Sequence, residues 1–225
     1  MRASLSQAGP KIKLGLIGCG GRGTWITNLF LKHGGYELAA VADYFQDKVD
    51  AIGDKLNVPA NRRFTTLSGY KKLLECTEVD AVVIQSPPYF HPEQAQAAVD
   101  AGKHVYLAKP IAVDVPGCQT IEASGKAATA KKRCFLVDFQ TRANAHYIEA
   151  IRRVHEGAIG EYVFGEAITH TPQLGTQAEP GTPEARLRNW VFDKCLSGDI
   201  ITEQQIHTLA VMSWVMNRTP LCATG

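Results

Sequence analysis

No stretch of this 225-residue chain approaches the ~18 consecutive apolar residues of a membrane-spanning helix, which excludes such a span within it. An excess of one charge is missing too. Lys and Arg number 24 against 22 Asp and Glu, a net charge of +2, and no basic run is dense enough to track a nucleic-acid backbone. Nucleic acid and membrane are therefore not expected partners. The six cysteines (Cys19, Cys76, Cys118, Cys134, Cys195, Cys222) form no C-x-x-C pair, so neither a zinc knuckle nor a dithiol redox centre is encoded. They read as small buried hydrophobes in a reducing compartment, the cytoplasm. The first ten residues, MRASLSQAGP, hold one Arg and no apolar core, so no secretory leader is expected in the chain as written. Internal repeats, low-complexity tracts, a G-x-S-x-G elbow and a paired-carboxylate pattern are all lacking. A hydrolase of conventional kind is thereby disfavoured.

What is present is an alternation of short β-branched runs with longer helical patterns. Strands are expected at 12–17, 37–42, 81–85, 104–107 and 134–137, and helices at about 22–33, 46–56, 68–75, 92–101 and 115–130. Such alternation implies parallel strands joined by right-handed crossovers. Runs such as AVVIQ are apolar on both faces, as a sheet covered by helices on both sides requires. The expected fold class is α/β, a Rossmann-type doubly wound parallel sheet. After about Phe139 the rhythm changes to a charged helix over 144–155, a strand in EYVFGEAIT (161–169), a loop rich in Gly, Pro and Thr, and a helix opening near Ser197 to Asp199. The chain is long enough for one domain and at least part of a second, with residues 1–138 as the first and 139–225 as the next.

The stretch KLGLIGCGGRG (13–23) fits G-x-G-x-x-G at Gly18, Gly20 and Gly23, between a strand and a helix. Gly18 permits the tight turn, Gly20 lets backbone approach a pyrophosphate, and Gly23 lets the helix lie close on the strand. The helix N–H groups around Gly21 and Arg22 and the helix dipole favour the anion. Asp43, closing the second strand, would accept from both adenosine ribose hydroxyls and repel a 2′-phosphate. NAD is accordingly favoured over NADP. The alternative for Asp43 is a helix N-cap.

Lys109 is the only charge in HVYLAKPIAV, just past a strand end where ligands of open α/β sheets gather; a lysine desolvated there can shuttle a proton. Its alternative is a surface lysine with a buried stem. Ser86 and Pro87 follow another strand end, and His91 opens a helix, either bonding locally or contacting the nicotinamide side of the cofactor. In the last helix Glu203, His207, Ala210 and Trp214 fall on one stripe, whose apolar end must face protein. The acid and imidazole either face inward with it or form an exposed pair. No third ligand stands near them, so no metal is expected.

With GLIGCGGRG, VADYF, SPPYFHPEQAQAAVDAGKHVYLAKP and SGDIITEQQIH in this order, the chain resembles the glucose-fructose oxidoreductase / inositol dehydrogenase / rhizopine catabolism family (Gfo/Idh/MocA) from about residue 11 onward. The resemblance implies an NAD(P)-dependent oxidoreductase that passes hydride between a sugar or polyol and the cofactor. It places Lys109 at the family's proton-assisting lysine, His207 at its acid/base histidine and Glu203 at a position usually held by aspartate. Arg142, Arg188, Asn189 and Trp190 lie in stretches that commonly line the sugar pocket. Two departures stand out. Ala108 replaces the glutamate before the lysine, and residues 139–225 correspond to only part of a second domain usually as large as the first. That second domain is thus a partial α+β, open-sheet domain, and a homo-oligomer is implied where the full sheet exists. Three functions are compatible with these residues: NAD-dependent oxidation of a secondary hydroxyl, a redox-neutral NAD-dependent glycosidase or lyase, and a non-catalytic dinucleotide-binding module.

Overall fold

The computed structural model describes residues 9–224. The leader expectation lies mostly on residues 1–8, outside the described residues. The chain divides into two compact units, Met1–Val137 and Asp138–Gly225.

The first unit is a six-stranded sheet built from β1 (Ile12–Ile17), β2 (Tyr36–Ala42), β3 (Arg63–Phe64), β4 (Ala81–Ile84), β5 (His104–Ala108) and β6 (Phe135–Asp138), in the spatial order β3-β2-β1-β4-β5-β6. The pairings of β1 with β2 and β4, of β2 with β3 and of β4 with β5 are parallel. Period-two alternation sends neighbouring residues to opposite faces. Val82 and Ile84 join Leu73, Ala95, Val99 and Ile121 in one core. Val83 joins Leu16, Val41, Ile26, Val49 and Ile52 in the other. Helices α1 (Gly21–His33) and α2 (Gln46–Lys55) cover that second face; α3 (Gly69–Leu74), α4 (His91–Asp100) and α5 (Val115–Ala130) cover the first. The two-residue β3 went unrecognised because so short a strand shows no period of its own; it exists by pairing Val41 with Arg63. Strand order reverses between β1 and β4, the switch point at whose carboxyl ends such sheets hold ligands.

The second unit holds α6 (Ala145–His155), the short helices α7 (Ala185–Arg188) and α8 (Lys194–Ser197), and α9 (Ile206–Met216). Asn144 caps α6 by accepting from the His146 amide at 2.9 Å. The last carbonyls of α9 also find partners: His155 Nε2 stands 3.1 Å from both Trp214 O and Val215 O, and the Tyr162 hydroxyl donates to Val215 O at 3.2 Å.

Two expectations need correction here. EYVFGEAIT forms no strand: the segment is irregular, with Val163 98% and Phe164 83% exposed. Alternation alone cannot make a strand, and among the described residues no strand lies beside this segment to pair with it. The late helix also does not open as a regular α-helix. Ile201–Gln205 is a π turn, and α-helical geometry begins at Ile206, so Glu203 and His207 stand on different helical periods.

Candidate active site

The glycine loop runs from the end of β1 into α1. Gly18 has φ +92, and a Cβ on it would lie 2.5 Å from the Gln85 carbonyl carbon. A Cβ on Gly23 would come within 2.0 Å of Gly18 O. Both positions therefore require glycine, the first for its backbone conformation and the second for the approach of helix to strand. At Gly20 and Gly21 a Cβ would meet nothing within 4 Å. Gly20 also caps α1 with no side-chain bond, and no acid occupies the first turn. Unfilled space lies over helix N–H groups that no side chain caps, an arrangement that suits a phosphate. Arg22 lies in that first turn, its guanidinium 5.5 Å above the Trp25 ring.

Asp43 follows β2 beside this loop. One carboxylate oxygen accepts from the Cys19 amide at 2.7 Å and the other from the Phe45 amide at 3.0 Å. It is not an N-cap of α2, since Phe45 takes that position with no side-chain bond. Each oxygen keeps a lone pair for a further donor, such as a ribose hydroxyl. Burial pushes the Asp43 carboxyl above its ordinary range, opposed by the two amides and the Lys48 ammonium. Cys19, inside the loop, is buried, and desolvation raises its thiol far above the ordinary value, so it packs as a hydrophobe.

Across the switch point, Ser86 and Pro87 follow β4, and Ser86 Oγ donates to Gln94 Oε1 at 2.6 Å. Two residues here escaped the reading of the sequence. Gln94 could have been found from its i+3 spacing to His91. Gln85 reads as the last residue of an apolar strand, yet both polar atoms of its carboxamide are buried without a hydrogen-bond partner among the described residues. A buried amide beside Gly18 is a donor and acceptor for a bound ligand or ordered water.

Lys109 follows β5 and is 8% exposed, preceded by the buried Ala108 and joined to Pro110 by a cis peptide. Most of the side chain is thus out of solvent. His91 is 1% exposed, and its ring nitrogens stand 2.8 Å from Pro110 O and 2.8 Å from Ser86 O. Neither expectation for His91 matches this geometry: the bonds are not confined to the helix start, and both nitrogens are already engaged by backbone.

In the second unit Glu203 is 8% exposed and His207 half-buried. Arg142 donates to Ala210 O at 3.2 Å and stacks 5.0 Å over the Trp214 ring, so it is held against α9. Arg188 pairs with Glu184 at 2.8 Å. The Asn189 carboxamide braces the loop before it, accepting from the Gln177 amide at 2.6 Å and donating to Ala178 O at 2.8 Å. Trp190 opens a short 3-10 turn and is half-buried. Among the described residues no cluster of His, Cys, Asp and Glu could hold a metal, and no helix is long and apolar enough to cross a membrane.

Residues 12–139 match the model of a family described as an oxidoreductase family with an NAD-binding Rossmann fold, Gfo/Idh/MocA. The chain is 28% identical over 208 residues to inositol 2-dehydrogenase of Salmonella paratyphi B, covering 92% of this chain and 55% of that protein. It is 30% identical over 166 residues to alpha-N-acetylgalactosaminidase of Shewanella oneidensis, covering 69% of this chain and 34% of that one. The aldose-aldose oxidoreductase of Caulobacter crescentus, solved with glycerol, shares the fold, with a TM-score of 0.69 at 23% identity over 93% of this chain and 59% of its own. The chain spans about half the length of the inositol dehydrogenase it matches.

Proposed function

Because the chain belongs to the Gfo/Idh/MocA oxidoreductase family, with its NAD-binding Rossmann fold over residues 12–139, we propose that it oxidises a secondary hydroxyl of a sugar, polyol or sugar derivative with NAD. The observation that carries this reading is the glycine loop, where no Cβ fits at Gly18 or Gly23 while open space lies over Gly20 and Gly21, beside a carboxylate already fixed by two amides. Gly18, Gly20, Gly21, Arg22 and Gly23 would hold the pyrophosphate, Asp43 the adenosine ribose, and Ser86 and Pro87 the cofactor's far side. No Arg stands in the YFQDK that follows Asp43 to offset a 2′-phosphate, although Lys48 lies within a turn, which supports NAD over NADP.

Bound NAD supplies a hydride acceptor, and the chain's own residues handle the proton. As the carbinol carbon loses hydride, its hydroxyl loses a proton, leaving a ketone. Lys109 and His207 relay that proton, with Glu203 orienting the imidazole. Arg142, Arg188, Asn189 and Trp190 are assigned to the sugar. The dinucleotide domain is taken as residues 1–138, the substrate domain as 139–225 and the compartment as the cytoplasm; of the six cysteines expected to be buried hydrophobes only Cys19 and Cys76 are buried, while Cys118 is half-buried and Cys134, Cys195 and Cys222 are exposed.

Titration with NADH and, separately, NADPH, followed by cofactor fluorescence, tests the loop; binding of neither overturns the reading. Lys109→Ala and His207→Ala variants should then lose roughly 10²–10⁴-fold in turnover with NADH affinity kept. Unchanged turnover would remove both residues from the relay. A second reading is a redox-neutral cycle in which hydride returns after a glycosidic bond is eliminated, supported by the likeness to alpha-N-acetylgalactosaminidase. Net NADH accumulation during turnover would exclude it. A non-catalytic module is the third, suggested by the buried Ala108 where the family pattern has glutamate; cofactor-dependent turnover by this chain would dismiss it.

A further inference from the structure

Three chain segments converge on the His91 ring. Nδ1 meets Pro110 O, in the turn that carries Lys109, and Nε2 meets Ser86 O, in the turn after β4, each at 2.8 Å. The ring itself belongs to the first turn of α4. Three residues on, Gln94 accepts the Ser86 hydroxyl at 2.6 Å, so α4 grips Ser86 by both its carbonyl and its side chain. Ser86 and Lys109 each lie two residues past the last pair of the β4–β5 ladder, Ile84 with Leu107, so the ring bridges the two turns just beyond the point where strand pairing stops.

We propose that His91 is a positioning residue: it pins the Lys109–Pro110 turn to the Ser86 turn and thereby fixes where Lys109 presents its amine. This rests on the assignment of Lys109 to the proton relay above. It also gives His91 a different task from a nicotinamide contact, because the ring is closed to solvent and neither nitrogen is left for a ligand. Two facing carbonyls favour the doubly protonated ring. Burial, together with the Lys109 charge, opposes it more strongly and holds the ring near 4, so at neutral pH one ring nitrogen donates to its carbonyl and the other, unprotonated, only packs against the second. Imidazole suits the place because its two nitrogens point in divergent directions from one rigid plane. A carboxamide likewise offers one donor group, so it can restore the hydrogen-bonded contact but not the packing of the second ring nitrogen against the other carbonyl.

The test compares the parent chain with His91→Ala and His91→Gln, and with Ile52→Val in α2 as a control for general loosening of the first unit. Lysine labelled with ¹³C at the ε carbon gives a Lys109 signal, assigned by its disappearance in Lys109→Arg. Without ligand, that signal should move in His91→Ala, return part of the way in His91→Gln and stay in place in the control. Amide exchange at Lys109, Ile111 and Ala112 should quicken at least about tenfold in His91→Ala while the glycine loop keeps its protection. NADH affinity should change by less than about threefold. A Lys109 signal and turn unaffected by either substitution would overturn the proposal, as would a loss of NADH affinity above about tenfold with the turn unchanged, which would restore the cofactor contact. Should His91→Ala not fold, His91→Gln carries the same readings. If the parent binds no NADH, the functional reading fails by itself, and the ligand-free Lys109 signal still decides whether His91 positions that residue.

Discussion

Leu16, Val41, Leu73, Val82 and Ile84 of the first unit are 0% exposed, whereas Val163, Phe164 and Ile168 of the second are 98%, 83% and 68% exposed. Both units draw on the same residue types, so composition does not separate them. Architecture does. A parallel sheet with helices on both faces gives each strand residue an apolar neighbour on whichever side it points. A set of helices joined by irregular chain has no second layer to close over its apolar side chains. Among the described residues the second unit buries only Ile151 and Leu196 of its hydrophobic side chains. The first unit is accordingly expected to be the seat of the chain's stability, and the second to add chemistry without much cohesion.

That contrast can be broken most directly by cutting at the boundary. Residues 1–137 alone should unfold cooperatively and bind NADH as the whole chain does, while 138–225 alone should show no cooperative transition; circular dichroism during urea titration distinguishes the two. Next in size, Leu73→Ala should cost about 2–5 kcal/mol, against less than about 0.5 kcal/mol for Ile148→Ala on the exposed side of α6, both read from urea midpoints.

Acid sharpens the comparison further, since its effect through His91 belongs to the first unit. Burial lowers His91 from 6.5 to about 4, so between these values the unfolded chain binds a proton that the folded one refuses. Stability is therefore complete above pH 6.5 and falls as pH drops toward 4, by about 3 kcal/mol from this group. Subtracting the profile of His91→Gln from that of the parent should isolate the loss; parallel profiles would refute it.

The smallest effect on folding should come with a large one on binding. Gly20→Ala adds a methyl that meets nothing in the protein, so the urea midpoint should hold while NADH affinity drops at least about tenfold. Retained affinity would show that the phosphates lie elsewhere.

The sheet was legible because its strands repeat a local rule: apolar runs bounded by turns, each followed by a helix with an apolar face. Gly18, Gly20, Gly23 and Asp43 were legible for a related reason, since a phosphate cradle at a strand–helix turn needs fixed spacings along one short stretch. Beyond Phe139 the same rules found the helix at Ala145–His155 and then failed. EYVFGEAIT has the pattern of a strand and is none, because a strand exists only by pairing. SGDIITEQQIH has helical spacing, and the π turn at Ile201–Gln205 changes which residues share a face.

By itself, then, the sequence determined the order of the sheet's elements, the glycine loop with its acid, and the residue types available to move a proton. Tertiary structure alone decided what lies far apart along the chain and close in space: the pairing of β3 with β2, the Cys19 amide on Asp43, and the placing of His91 between Ser86 O and Pro110 O. Local spacing encodes conformations that a few residues impose on themselves, while bonds between distant segments form only after the sheet has brought their turns together at its carboxyl edge.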